Sequence, residues 1–199
     1  ALQQAQQRHE WTRLQPQLLA NKTLGIIGYG SIGRAIGQRA KAFGMRVLAT
    51  RRHPAPDVGA DEVWPHSRLH ELLPLCDYIV LAVPLTAETR HMIGAKELSL
   101  CKPSAILINI ARGSVVDEAA LIAALQAGTI KGAGLDVFEQ EPLPADSPLW
   151  DMPQVIITPH VAGHMPDYDE NVVAILLENL RRYQAGEPLI NIVDKEAGY

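Results

Sequence analysis

Short unbroken apolar runs alternate along this chain with segments of helical period. Leu24, Ile26 and Ile27 make the first run, Arg46 to Ala49 the second, and Tyr78 to Val83, closed by Pro84, the third; Ala105 to Ile110, Ala133 to Phe138 and Val155 to Thr158 follow. Unbroken runs mark strands buried on both faces. Between them, Ser31 to Phe43, Ser67 to Leu73 and Asp117 to Ala127 repeat apolar residues at helical spacing, the last with Asp117 to cap its start and Gly128 to end it. Such alternation requires crossovers, hence parallel strands, and the crossovers are right-handed in nearly every case. The expectation is a doubly wound α/β fold, a parallel sheet with helices on both faces. A closing helix over Asp167 to Gln184 sets Val173, Leu176, Leu177, Leu180 and Tyr183 on one face, and the Gln-rich stretch Ala1 to Leu19 opens as a helix running toward Pro16.

The first strand meets the first helix in Gly28-Tyr29-Gly30-Ser31-Ile32-Gly33, a G-x-G-x-x-G turn. In that spacing Gly28 permits the tight turn, Gly30 lets backbone approach a pyrophosphate, and Gly33 lets the helix pack closely on the strand. The helix start then offers unpaired amide hydrogens and the positive end of its dipole to phosphates.

Apolar residues make up 47% of the 199 residues, enough to fill one core, so a single domain over 1–199 fits the uninterrupted alternation. No run reaches the length that crosses a bilayer, and a formal charge of −4 gives no reason to expect nucleic acid or a membrane as partner. Cys76 and Cys101 are far apart, and the N-terminus lacks a basic-then-apolar signal pattern, which fits a reducing cytoplasm. No residues cluster with the spacing of a metal site. His9, His53, His66, His70 and His91 stand in polar stretches and read as surface residues.

Ligands of open α/β sheets collect beyond the carboxyl ends of the strands. Arg112, Glu141 and His160 each stand shortly after such an end, and together they supply an anion clamp, a carboxylate and a proton donor. Carbonyl reduction needs that set. The acid beside Thr50, at the end of the second strand, that would hold ribose hydroxyls in an NAD site is replaced by Arg51 and Arg52, which suit a 2′-phosphate and give a preference for NADP(H) over NAD(H).

Three long motifs resemble the D-2-hydroxyacid dehydrogenase family: Ile108-Asn109-Ile110-Ala111-Arg112-Gly113-Ser114-Val115-Val116-Asp117, then Gly134-Leu135-Asp136-Val137-Phe138-Glu139-Gln140-Glu141-Pro142-Leu143-Pro144, then Thr158-Pro159-His160. The resemblance implies a Rossmann-type domain in which Arg112, Glu141 and His160 are the catalytic residues. Glu141, the acid of the Glu-Pro pair, takes that role in preference to Glu139. It also implies cofactor contacts from Ser31, Ile32, Val83, Pro84, Ile110, Ala111, Arg112, Asp136, His160, Ala162 and Gly163, a small 2-keto acid or 2-hydroxy acid as substrate, and a cytoplasmic homodimer. Family members carry a separate substrate domain, so the chain reads as a piece of a longer protein, with 1–20 the remnant of an interdomain helix and 185–199 a C-terminal tail. A nicotinamide-sensing corepressor and a phosphite dehydrogenase are the alternatives; formate dehydrogenases, which pair the histidine with glutamine, do not match Glu141. After the histidine, His164, Met165, Pro166 and Tyr168 depart from the small residues common in the family.

Overall fold

Every strand found among the described residues runs parallel to its neighbours. A computed structural model describes residues 2–13 and 15–196 and divides into two compact units, Ala1–Pro159 and His160–Tyr199. The first unit holds strands β1 (Thr23–Ile27), β2 (Arg46–Arg51), β3 (Glu62–Pro65), β4 (Tyr78–Leu81), β5 (Ile106–Asn109), β6 (Gly132–Leu135) and β7 (Val155–Ile157). Its helices are α1 (Leu2–Gln7), α2 (Ser31–Ala42), α3 (Leu69–Leu72), α4 (Ala95–Leu100) and α5 (Glu118–Gln126). The sheet order is β3-β2-β1-β4-β5-β6-β7. This is the doubly wound arrangement, with the order reversing between β1 and β4.

Alternate residues of one strand face opposite ways, and here both faces are covered. Ile27, Leu48, Ile79, Leu81 and Leu107 pack with Leu72, Leu121 and Leu125 on one face. Leu24, Ile26, Val47, Ala49 and Val80 pack with Ala40 on the other. Each such side chain taken fully out of water contributes roughly 1.5–3 kcal/mol.

The sequence runs overshoot the strands where hydrogen-bonding partners stop. β4 ends at Leu81, opposite the last residue of β1, Ile27, so Ala82 and Val83 lie beyond the ladder. β5 ends at Asn109, whose side chain takes the Ala111 amide, and β6 ends at Leu135, opposite Ile157. Two elements escape the apolar pattern. β3 has only four residues and contains Glu62 and Pro65, and α4 is a single short turn started by Gly94, whose amide donates to Glu97 Oε2 at 3.1 Å. Ser67 to Leu73 is not one helix, because 3₁₀ turns flank the four residues of α3. The opening helix ends at Gln7 rather than continuing to Pro16; Ala1 and Leu14 of that expectation, and residues 197–199 of the expected tail, lie outside the described residues.

The second unit contains α6 (Tyr168–Ala185), ended by Gly186 at φ 68°. Its apolar spacing forms the helix, yet Val173, Leu176, Leu177, Leu180 and Tyr183 are all exposed. Asn179 joins it to the following segment, donating to Ile190 O at 3.0 Å and accepting from Ile190 N at 2.8 Å.

At the amino ends of the central strands, Asp77 holds three segments together. Its carboxylate accepts from Thr23 N at 2.8 Å and pairs with Lys102 Nζ at 3.0 Å, while its backbone donates to Thr23 O and accepts from Ile106 N. Burial pushes this carboxyl up, but the Thr23 amide and the Lys102 ammonium outweigh burial and leave its pKa below the ordinary range. A depressed folded pKa gives stability that is present above the unfolded value and is lost as the pH falls through the folded one. Asp77→Ala is therefore expected to cost about 1–3 kcal/mol near neutral pH. In urea titrations the gap from the parent should narrow below about pH 4; a gap independent of pH would contradict the role given to the carboxylate.

Candidate active site

The turn after β1 is shaped by what glycine lacks. Gly28 has φ 99°, and a Cβ there would lie 2.5 Å from Ala82 O. Gly28 N and Tyr29 N both donate to Thr50 O at 3.0 Å, which fixes the turn to the end of β2. A Cβ on Gly33 would run into Gly28 O, so α2 lies hard against the strand end. Gly30 is different: a Cβ there would meet nothing within 4 Å. Gly30 is also the N-cap of α2, so no capping side chain competes for the first-turn amides, and Ser31 and Ile32 are exposed at this opening. Open space and a helix N-terminus whose first-turn amides no side chain caps fit a pyrophosphate. Buried Tyr29 anchors the neighbouring loop through Asp57, donating to Oδ1 at 3.2 Å; Asp57 also accepts from Gly59 N at 2.9 Å and pairs with Arg34 at 3.2 Å. Burial, then the Asp57 charge, push the Tyr29 phenol up to about 12.

Beside that turn lies a charged cluster. Arg51 ends β2 opposite Pro65, the last residue of β3, so Arg52 and His66 both follow strand ends on the same edge. Arg51 is half-buried and Arg52 exposed, with Arg52 Nη2 3.3 Å from Glu88 Oε2. His66 corrects the surface reading: it is half-buried, with Nδ1 3.1 Å from Thr50 Oγ1. Burial lowers its pKa, the Arg52 charge adds to this, and Glu88 opposes it. Buried Val83 and half-buried Pro84 follow β4, and the loop beyond is closed by Thr86 N donating to Thr89 Oγ1 at 2.8 Å and Thr89 Oγ1 donating to Pro84 O at 2.7 Å.

Past β5 the buried side chain of Asn109 folds the chain back. It accepts from Ala111 N and donates to Arg112 O, both at 3.0 Å, so half-buried Ile110 and buried Ala111 form a tight turn that delivers exposed Arg112 to the edge. The guanidinium Nη1 donates to Ala111 O at 2.6 Å. A Cβ on Gly113 would overlap the backbone of Phe138 and Glu139, so the Arg112 loop and the loop after β6 touch main chain to main chain. That contact brings Arg112 and Glu141 to neighbouring loops. Glu141 Oε1 accepts from Phe138 N at 3.0 Å. Glu139 is engaged otherwise, 2.7 Å from His91 Nε2 and exchanging amide-to-carboxylate bonds with Glu118. Buried Asp136 donates its amide to Asn109 O at 3.0 Å and accepts from Thr158 Oγ1 at 2.5 Å.

His160 opens the second unit, in the left-handed region at φ 53°. His164 N donates to Val161 O at 2.9 Å, closing a turn that contains Ala162 and Gly163, all of it exposed. Sequence reasoning gave no role to Asn109 or Gly113, although both lie inside the quoted motif. A buried polar residue at a strand end was the signal available for Asn109.

The family model for the D-isomer specific 2-hydroxyacid dehydrogenase NAD binding domain matches residues 1–162. A glyoxylate reductase of Thermococcus gammatolerans is 48% identical over 175 residues, 88% of this chain and 52% of the relative. A glyoxylate/hydroxypyruvate reductase B of Pectobacterium carotovorum is 47% identical over 179 residues, 88% of this chain and 55% of the relative. The chain thus spans about half the length of the curated relatives it matches. Among solved structures, a D-isomer specific 2-hydroxyacid dehydrogenase from Xanthobacter autotrophicus Py2, in complex with NADPH and MES, superimposes with a TM-score of 0.90 at 39% identity over 100% of this chain and 81% of that one. An NADPH-dependent glyoxylate/hydroxypyruvate reductase from Sinorhizobium meliloti, in complex with NADP and sulfate, gives 0.91 at 33% identity over 100% of this chain and 63% of that one. With the glycine turn, the Arg112 loop and the Glu141 loop on one sheet edge and the family model covering most of its length, this chain belongs to the D-isomer specific 2-hydroxyacid dehydrogenase family, through its NAD binding domain.

Proposed function

We propose that this chain binds a nicotinamide dinucleotide, NADP(H) in preference to NAD(H), along the carboxyl edge of its sheet. Within a cytoplasmic, homodimeric enzyme it serves the reduction of a small 2-keto acid of the glyoxylate and hydroxypyruvate kind, in a chain about twice this length, the length of the curated relatives. The observation that carries the reading is the shared edge: the open Gly30 turn, Arg51 with Arg52, and the Arg112 and Glu141 loops all follow carboxyl ends of one parallel sheet. The names of the relatives and the NADPH and NADP held by the structural neighbours support the substrate class and the cofactor.

In this reading Ser31, Ile32, Gly28 and Gly33 would cradle the pyrophosphate, Val83, Pro84, Ile110 and Ala111 would wall the edge, Asp136 would take the nicotinamide, and Ala162 and Gly163 would be further cofactor contacts. A bound nicotinamide supplies the hydride. Arg112 pairs with the substrate carboxylate and polarises its carbonyl, His160 gives a proton to the carbonyl oxygen, and Glu141 is the acid that supports the histidine. The commitment of Glu139 to His91 and Glu118 favours Glu141 for that part.

Three outcomes are expected. Gly30→Val should leave the thermal midpoint within a few degrees of the parent, since the added carbons enter open space, yet weaken dinucleotide binding by roughly tenfold or more through loss of the close approach; equal affinity by calorimetry would contradict the cradle. NADPH should bind more tightly than NADH in fluorescence titrations, and changing both Arg51 and Arg52 to alanine should abolish the difference; tighter NADH binding by the parent would overturn the cofactor preference. In the full-length enzyme, His160→Ala should cost on the order of 10² to 10⁴ in rate, and Arg112→Lys should raise KM because a point charge replaces a planar two-pronged donor. Glu139→Gln, read in the same steady-state assay, should leave kcat near the parent value, whereas a loss equal to that of Glu141→Gln would move the acid role to Glu139.

A further inference from the structure

Glu88 stands where a cofactor phosphate would find a rival. It lies on the loop after β4, outside the glycine turn and the end of β2, and the Thr86, Thr89 and Pro84 hydrogen bonds fix the fold of that loop. From there its carboxylate reaches Arg52, with Oε2 3.3 Å from Nη2. The Glu88 side chain is 80% exposed and that of Arg52 47% exposed. A solvated pair at that separation is weak and screened by salt. A phosphate dianion carries more charge than a carboxylate, so it is the stronger partner for an arginine.

We propose that Glu88 tempers the NADP(H) preference of this chain by competing with the 2′-phosphate for Arg52. With no phosphate present the carboxylate holds the guanidinium at the sheet edge; when NADP(H) binds, Arg52 turns to the phosphate and Glu88 is released to water. Two penalties then fall on NADP(H) alone: the broken ion pair and the repulsion between the freed carboxylate and the phosphate. NAD(H), with only a ribose hydroxyl at that place, leaves the pair intact. Half-buried His66, beside Thr50 Oγ1, also faces the cluster, where burial with the Arg52 charge disfavours its charged form, and the Asp57 carboxylate acts on Arg51. Near neutral pH Arg51, Arg52 and Glu88 then carry charge at the proposed phosphate position, with Asp57 acting on Arg51. The loop therefore moderates a preference that the two arginines create.

This inference rests on the proposed NADP(H) site, and titrations of the chain with NADPH and NADH separate the two. Glu88→Gln keeps the side-chain size at a solvent-exposed position. It should lower the dissociation constant for NADPH by about 3- to 10-fold while changing that for NADH by less than about 2-fold. The gain should shrink toward unity as salt rises to about 1 M. Glu88→Lys should favour NADPH further. If the parent prefers NADPH and Arg52→Ala removes the preference, but Glu88→Gln leaves the NADH-to-NADPH ratio unchanged or moves both constants together, the competition is overturned and the site stands. If the parent binds NADH more tightly and Arg52→Ala changes nothing, the site itself is wrong.

Discussion

An all-parallel sheet puts the carboxyl end of every strand on one edge, and the site depends on that constraint. Because the order reverses between β1 and β4, the connections leaving those two strands cross to opposite faces and leave a crevice between them. The Gly28 turn lies at this crevice. The Arg51 and Arg52 segment follows the neighbouring strand on one side, and Pro84, Arg112 and Glu141 follow strands on the other. Polar groups are thereby gathered without breaking the core, since each stands at or beyond the carboxyl end of its strand. The amino edge carries a different duty, shown by Asp77, which ties β1, β4 and β5 together through its carboxylate and backbone. In the proposed reading, stability and ligand recognition are divided between opposite ends of the same strands.

Close backbone approach fixes the details of the carboxyl edge. Gly28 allows the turn to pass the Ala82 carbonyl, and Gly113 allows the Arg112 loop to rest on the Phe138 backbone. Buried Asn109 satisfies the amide and carbonyl that the second of these turns leaves over. A guanidinium on a surface loop is ordinarily mobile, but here the backbone that carries it is hydrogen-bonded on both sides of Ile110. Positioning by the scaffold is what an arginine needs if it is to select a planar carboxylate.

Much of this was legible in the chain itself. Strands buried on both faces announce themselves as apolar runs, and the G-x-G-x-x-G turn states where the first crossover begins. The ends were harder, because Val83 and Phe138 are as apolar and as buried as the strands before them while having no ladder partner. β3 was not legible because an edge strand buries little, so Glu62 and Pro65 are tolerated in it. His66 was misjudged for a related reason. Its polar neighbours in sequence hide the fact that it follows the β3 end and turns toward Thr50, a proximity created by strand pairing alone. The pair of Arg52 with Glu88 is likewise a product of topology, since 36 positions separate the two.

The central claim is that the carboxyl edge of the sheet receives the dinucleotide. Hydrogen exchange with and without saturating NADPH, read peptide by peptide, tests it most directly. Slowed exchange is expected over residues 28–34, 50–53, 83–89 and 109–113, with the amino-edge segments around Asp77, Lys102 and Lys131 unchanged. Protection confined to the amino edge, or spread evenly over the sheet with none at residues 28–34, would contradict it.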